Sequence, residues 1–133
     1  MTTLHVKTGQ KKDVVDLTDR INEVLSKRKV TDGVCCISVA HTTAALTTGE
    51  VGEGTEQDFL DVAEQVIPKI RFRHAHDPSH AWSHMAASLI GPSLCLPVSE
   101  GKLALGTWQG IFLCEFDGPR QRMVFVKVVP DPA

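Results

Sequence analysis

Two short segments carry most of the chemistry-capable side chains: His41–Glu50, reading HTTAALTTGE, and Gly106–Glu115, reading GTWQGIFLCE. Each places polar groups between apolar runs of β type, where a sheet can present chemistry at its surface. Between them, Arg71–His84 (RFRHAHDPSHAWSH) holds four of the six histidines, at positions 74, 76, 80 and 84. The expectation is that the two segments, with His74 and His84, line one small-molecule site.

The histidines admit three readings. His80 and His84 are four apart, which can put two imidazoles on one helical face, and neutral imidazole is a common metal ligand. The same groups can work as acids and bases without a metal, or the stretch can be a histidine-rich surface loop. No HExxH pattern or cysteine–histidine ladder decides between them. His41 shares a strand face with Thr43, not with Thr42, so it reads as a general acid or base or an anion contact, not as half of a nucleophilic pair. Glu50 and Asp58 are carboxylates near a helix start. Thr107, Trp108 and Gln109 sit between Gly106 and Gly110, which suits close approach to a flat ligand or a bulge. Walker, GxGxxG and GxSxG patterns are absent.

The elements that must position these residues follow from periodicity. Leu4 and Val6 alternate with polar residues in a first strand, and Asp13–Asp16 makes a second. Thr18 is expected as the N-cap of a helix running to about Lys29, with Leu17, Ile21, Val24, Leu25 and Arg28 on its buried face. Val34–Ala40 is a strand delivering His41, and Ala44–Thr48 a bend or second strand released by Gly49. A helix from Thr55 to about Val66 shows Phe59, Val62, Ala63, Val66, Ile67 and Ile70 at helical spacing, ended by Pro68. Asp77-Pro78 starts another helix that stops at Gly91-Pro92. Strands at 93–98, 103–116 and 123–129 close the chain, with a turn at Asp117–Arg120. This order gives a single α+β domain over residues 1–133.

The chain has 133 residues and a net charge of −2, which leaves no electrostatic footprint for nucleic acid or an anionic membrane. Without an apolar run of spanning length or a secretory leader, a cytoplasmic protein is expected. The four cysteines read as buried free thiols, with a disulfide between distant strands as the alternative.

HTTAALTTGE, Asp58 with its apolar helix, Phe72-Arg73-His74, His84 before ASLIGPS, and GKLALGTWQGIFLCEFDGPR together resemble the YjbQ-type family along nearly the whole chain. The resemblance implies a domain dominated by a β-sandwich with two or three helices, assembling as a homotrimer. It also implies a secondary thiamine-phosphate synthase activity, joining a pyrimidine diphosphate to a thiazole phosphate with release of pyrophosphate. On that reading His41, Glu50, Asp58 and His84 are catalytic, and Thr43, Thr107, Trp108 and Gln109 bind the small phosphorylated substrate. His41, His74 and His84 are the residues for a divalent ion, Mg or Zn, and no organic cofactor is expected. Arg71, Arg73, Lys102 and Arg120 are further anion contacts. Gly49 and Ala86 depart from the family pattern, which has an asparagine and a basic residue there, so grip on a phosphate is expected to weaken. The alternatives are a metal-dependent hydrolase of another phosphorylated or ester substrate, and a non-catalytic binding trimer.

Overall fold

Alternation of buried and exposed residues builds eight strands, which make up the larger part of the regular structure. The computed structural model describes residues 1–133. In order these are β1 (Thr2–Lys7), β2 (Asp13–Asp16), α1 (Thr18–Arg28), β3 (Gly33–Val39), β4 (Ala44–Glu50) and α2 (Thr55–Val66). A 3₁₀ turn (Pro78–His80) runs into α3 (Ala81–Ile90), followed by β5 (Ser93–Ser99), β6 (Lys102–Leu103), β7 (Gln109–Glu115) and β8 (Gln121–Pro130). All strand pairs are antiparallel, in a five-stranded sheet ordered β1-β8-β3-β5-β6 and a three-stranded sheet ordered β2-β7-β4.

The two sheets stack as a sandwich, and β7 explains why it has a third layer. Its odd residues Ile111 and Leu113 join Ile37, Val124 and Val126 in the core between the sheets. Its even residues Phe112 and Cys114 pack with Leu60, Ala63, Trp82 and Ala86 from α2 and α3. A strand covered on both faces reads as a continuous apolar run, as IFLC does here. Trp82 is fixed in that second core by its indole N–H, which donates to the Ile67 carbonyl at 2.7 Å.

The α+β, sandwich-dominated architecture with three α-helices is as the sequence implied. Several details differ. Thr18 is the first helical residue and not the cap; its hydroxyl donates to Asp16 Oδ1 at 2.6 Å and accepts the Ile111 N–H, tying α1 to β7. Arg28 leaves the buried face and reaches Thr2 Oγ1. Gly49 does not release the chain, because β4 continues to Glu50, where it still pairs with Gln109. The buried stripe of α2 and its exit is Leu60, Ala63 and Ile67, while Val62, Val66 and Ile70 are exposed. Two thiols, Cys36 and Cys95, are exposed, and only Cys35 and Cys114 are buried.

Candidate functional site

A cleft of about 830 Å³ opens where β3, β8 and the 3₁₀ turn approach one another. His41, His74, His76, His80 and His84 all line it, with Thr43, Asp77, Asp117, Arg120 and Arg122, and only one of its thirteen residues is apolar. Residues 33 to 43 positions apart in the chain are thus gathered in one place, as expected for His41, His74 and His84.

The cleft's floor is an ion pair that the sequence reading missed. Glu115, at the inward end of β7, is fully buried and meets Arg122 of β8 through Nε at 2.9 Å and through a second, shorter contact. Thr8 Oγ1 donates to the same carboxylate at 2.7 Å, and the Asp117 N–H adds a third donor. Arg122 also donates to Thr43 Oγ1 at 2.8 Å, so Thr43 is held as part of this network. Burial pushes the Glu115 carboxyl up, but the bonds from Arg122, Thr8 and Asp117 outweigh it and hold the group below its usual range. The signal was present: one carboxylate inside GIFLCEF requires a buried counter-charge.

Above this floor, Asp117 Oδ2 accepts from the Arg120 guanidinium at 2.9 Å and lies 2.8 Å from His80 Nδ1. His80 Nε2 faces Asp77 at 2.9 Å. Burial raises Asp117, yet His80 and Arg120 outweigh it and keep it ionised below the ordinary carboxylate range. Asp77 also caps the 3₁₀ turn by accepting the Ser79 N–H at 3.0 Å, which fixes the wall on which His80 and α3 stand.

Two of the other imidazoles, His41 and His74, have their tautomers set by backbone donors. His41 Nε2 accepts the Met123 N–H at 2.9 Å, so in the neutral ring the proton is on Nδ1. Burial, then the Arg122 and Arg120 charges, push His41 below its usual value, with Glu115 opposing. His74 Nδ1 accepts the Asp77 N–H at 3.2 Å, which leaves Nε2 carrying the proton. His84 stacks on His74 with ring centroids 5.0 Å apart and planes 23° from parallel.

This arrangement does not fit a resident metal. A ligating histidine donates its second N–H to an acceptor, whereas His41 and His74 each receive a hydrogen bond there. No three His, Cys, Asp or Glu groups stand close enough to hold an ion. What the cleft does present is a set of N–H donors from imidazoles and from Arg120, suited to oxyanions.

The remaining expected residues lie elsewhere. Thr107, Trp108 and Gln109 line a separate groove of about 390 Å³ with Glu50 and Gly49. Glu50 pairs with Gln109 at one end of the β4–β7 ladder, while Ala44 pairs with Glu115 at the cleft end. Six residues of extended strand separate the ends by about 20 Å. Trp108 is 70% exposed, and Gln109 Oε1 accepts the Gly106 N–H, so its amide closes its own turn. Glu50 accepts from Thr55 Oγ1, and Asp58 is an exposed residue of the first turn of α2 outside the cleft. Of the arginines and lysine expected as anion contacts, only Arg120 lines the cleft. A third groove, between β1 and α1, has its cations already engaged: Arg20 on the His5 carbonyl, Arg28 on Thr2 and Lys27 on Glu23.

Gly49 and Ala86, the two positions expected to depart from the family pattern, are packing positions. A Cβ at Gly49 would stand 2.6 Å from Phe112 Cε2. Ala86 is fully buried in the core under α3.

A model of the UPF0047 YjbQ-like proteins matches residues 2–131. The chain belongs to the YjbQ-like family. A UPF0047 relative from Methanocaldococcus jannaschii is 39% identical over 127 residues, covering 95% of this chain and 91% of its own. The YugU protein of Bacillus subtilis is 35% identical over 128 residues, covering 96% and 97%. Among solved structures, a YbjQ-like protein of unknown function from Sulfolobus solfataricus superimposes with a TM-score of 0.90 at 35% identity, over 98% of this chain and 96% of that one. An uncharacterised YjbQ/UPF0047 protein from Clostridium acetobutylicum gives 0.88 at 35% identity, over 97% and 100%. The YjbQ-like fold is therefore shared from end to end. No helix of this YjbQ-like chain is long and apolar enough to cross a membrane.

Proposed function

We propose that the imidazole cleft binds a small phosphorylated substrate and supports a thiamine-phosphate synthase type of transfer. The observation that carries this reading is the convergence of five imidazoles and Arg120 on one polar cleft. In such a transfer the thiazole nitrogen displaces pyrophosphate from the pyrimidine's methylene carbon, and negative charge builds on the leaving group. N–H donors already in place stabilise that charge without reorganising. His41 Nδ1–H, His74 Nε2–H and the free edge of Arg120 are assigned that role. His84, which has no hydrogen-bond partner within the chain, is assigned a further hydrogen bond to the diphosphate together with proton handling. A divalent ion, magnesium or zinc, would enter with the diphosphate and not be stored on the histidines.

Glu50, Asp58 and the Trp108 groove join this scheme only through a second copy of the chain. Val62, Val66, Met85 and Leu89 are exposed on α2 and α3, apolar area that self-association would cover. A homotrimer that set one copy's Trp108 groove against the next copy's cleft would give the heterocycle a ring to stack on.

The test is thiamine-phosphate formation from the two phosphorylated precursors with magnesium present. His84→Ala and Arg120→Ala are each expected to lower turnover on the order of 10²-fold. Equal, slow turnover in the parent and both variants would remove the assignment. Release of inorganic phosphate from simple esters, with no thiamine phosphate formed, would turn it toward a hydrolase.

A further inference from the structure

Cys36 on β3 and Cys95 on β5 are direct register partners, and their sulfurs lie 3.5 Å apart. Alternation puts them on the outer face of the five-stranded sheet: Cys35 and Ile37 point into the core, so Cys36 points away from it, and Cys95 does the same between half-buried Leu94 and Leu96. Both thiols are exposed and neither lines the cleft. No third side chain is placed to complete a metal site with them.

Directly opposed residues of an antiparallel pair have Cα atoms about 4.5–5.5 Å apart. That lies within the roughly 4.4–6.8 Å a disulfide spans, so joining the sulfurs takes side-chain rotation and no movement of the strands. We propose that Cys36 and Cys95 are a reversible dithiol–disulfide site, oxidised by a small-molecule disulfide, whose closure staples β3 to β5.

The step balances as thiol–disulfide exchange. The thiolate of one cysteine attacks a sulfur of the reagent, forming a mixed disulfide and expelling one reagent thiolate, which takes up the proton that cysteine lost. The second cysteine, likewise deprotonated, attacks the first cysteine's sulfur and expels the second reagent thiol. The two protein thiols lose two electrons and two protons, and one disulfide becomes two thiols. A resolving sulfur already in contact makes the second step intramolecular and fast.

The hydrogen bond between the thiols, then burial and the neighbouring sulfur, push Cys36 up, so its thiolate is scarce near neutrality and exchange quickens as pH rises. Lys127, the register partner of Cys36 on β8, is the charged group beside it, and β5 carries no charged residue. The staple closes a loop whose ends are 59 positions apart and which carries His41, His74 and His84. It is expected to raise the unfolding midpoint on the order of 10 °C.

The experiment incubates the full chain with oxidised glutathione at mildly alkaline pH, then reads intact mass, disulfide-linked peptides and thermal midpoint. The expected product has lost two hydrogen atoms, links the Cys36 and Cys95 peptides within one chain, and reverts with dithiothreitol. Cys36→Ser and Cys95→Ser should each instead keep one glutathione adduct and gain no stability. A lasting glutathione adduct on the parent, a bond between two chains, or four free thiols after treatment would each overturn the proposal.

Discussion

His74 and His84 stack face to face, 5.0 Å between ring centres, although a short irregular stretch, the 3₁₀ turn and the first residues of α3 lie between them. The contact joins the loop after α2 to α3 and keeps both rings at the cleft. His84→Phe should preserve the stack and the fold while removing the ring's polar groups. Its thermal midpoint is expected to stay within a few degrees of the parent's, with pyrophosphate binding weakened by about tenfold, one charge-assisted hydrogen bond's worth. Calorimetric titration checks the pair, and full binding by His84→Phe would exclude the imidazole from recognition.

His41 gives stability a pH dependence. Its folded value lies below the ordinary 6.5, mainly through burial and then the Arg122 charge. Below 6.5 the unfolded chain therefore takes up a proton more readily than the folded one, and stability falls as pH drops through that value, being fully present above it. His41→Gln should flatten the slope between pH 7 and 5.5. Urea midpoints across that range measure it; an unchanged slope in the variant would assign the effect elsewhere.

Glu115 acts with the same sign in a lower pH window. Its folded value is depressed despite burial, so its contribution is present above the ordinary 4.5 and is lost as pH falls through the folded value. Glu115→Ala leaves Arg122 buried without a counter-ion and should cost about 3–5 kcal/mol. Replacing both, Glu115→Leu with Arg122→Met, should cost clearly less. A double variant as unstable as Glu115→Ala alone would show that packing, not the orphaned charge, sets the loss.

Gly49→Asn, the residue that the family resemblance implies here, meets the buried Phe112 ring, whose Cε2 would be 2.6 Å from the new Cβ. Overpacking of this kind costs about 1–3 kcal/mol. Denaturant unfolding is expected to show that loss with no gain in phosphate affinity, because Gly49 borders the Trp108 groove and not the imidazole cleft. Equal stability would mean that Phe112 moves aside freely.

The α+β class was legible from the order of periodic segments, with the alternating start of β8 an example, whereas the sandwich followed from the family resemblance. The gathering of His41, His74 and His84 had only a partial local signal, in His41 just past the end of β3 and His84 on the helix that follows Asp77-Pro78. The separation of Trp108 from these histidines was not legible, because it depends on the β4–β7 register. Nothing local in HTTAALTTGE or GTWQGIFLCE says that Glu50 opposes Gln109 while Ala44 opposes Glu115. The outward face of α2 was misjudged for a similar reason. Val62 and Val66 have helical spacing, but the layer available to cover them reaches only Leu60 and Ala63. Arg122 fell outside the strand expected at 123–129, yet β8 begins at Gln121 and sets Arg122 on its buried side against Glu115.

The most direct test is a titration of the protein with inorganic pyrophosphate, followed by ¹⁵N–¹H spectra of the histidine rings and the tryptophan indoles. Saturable shifts of the His41, His74 and His84 rings, with the Trp108 indole unmoved when no heterocycle is present, are predicted. Shifts confined to Trp108, or none in any imidazole up to millimolar pyrophosphate, would contradict an oxyanion cleft built from histidines.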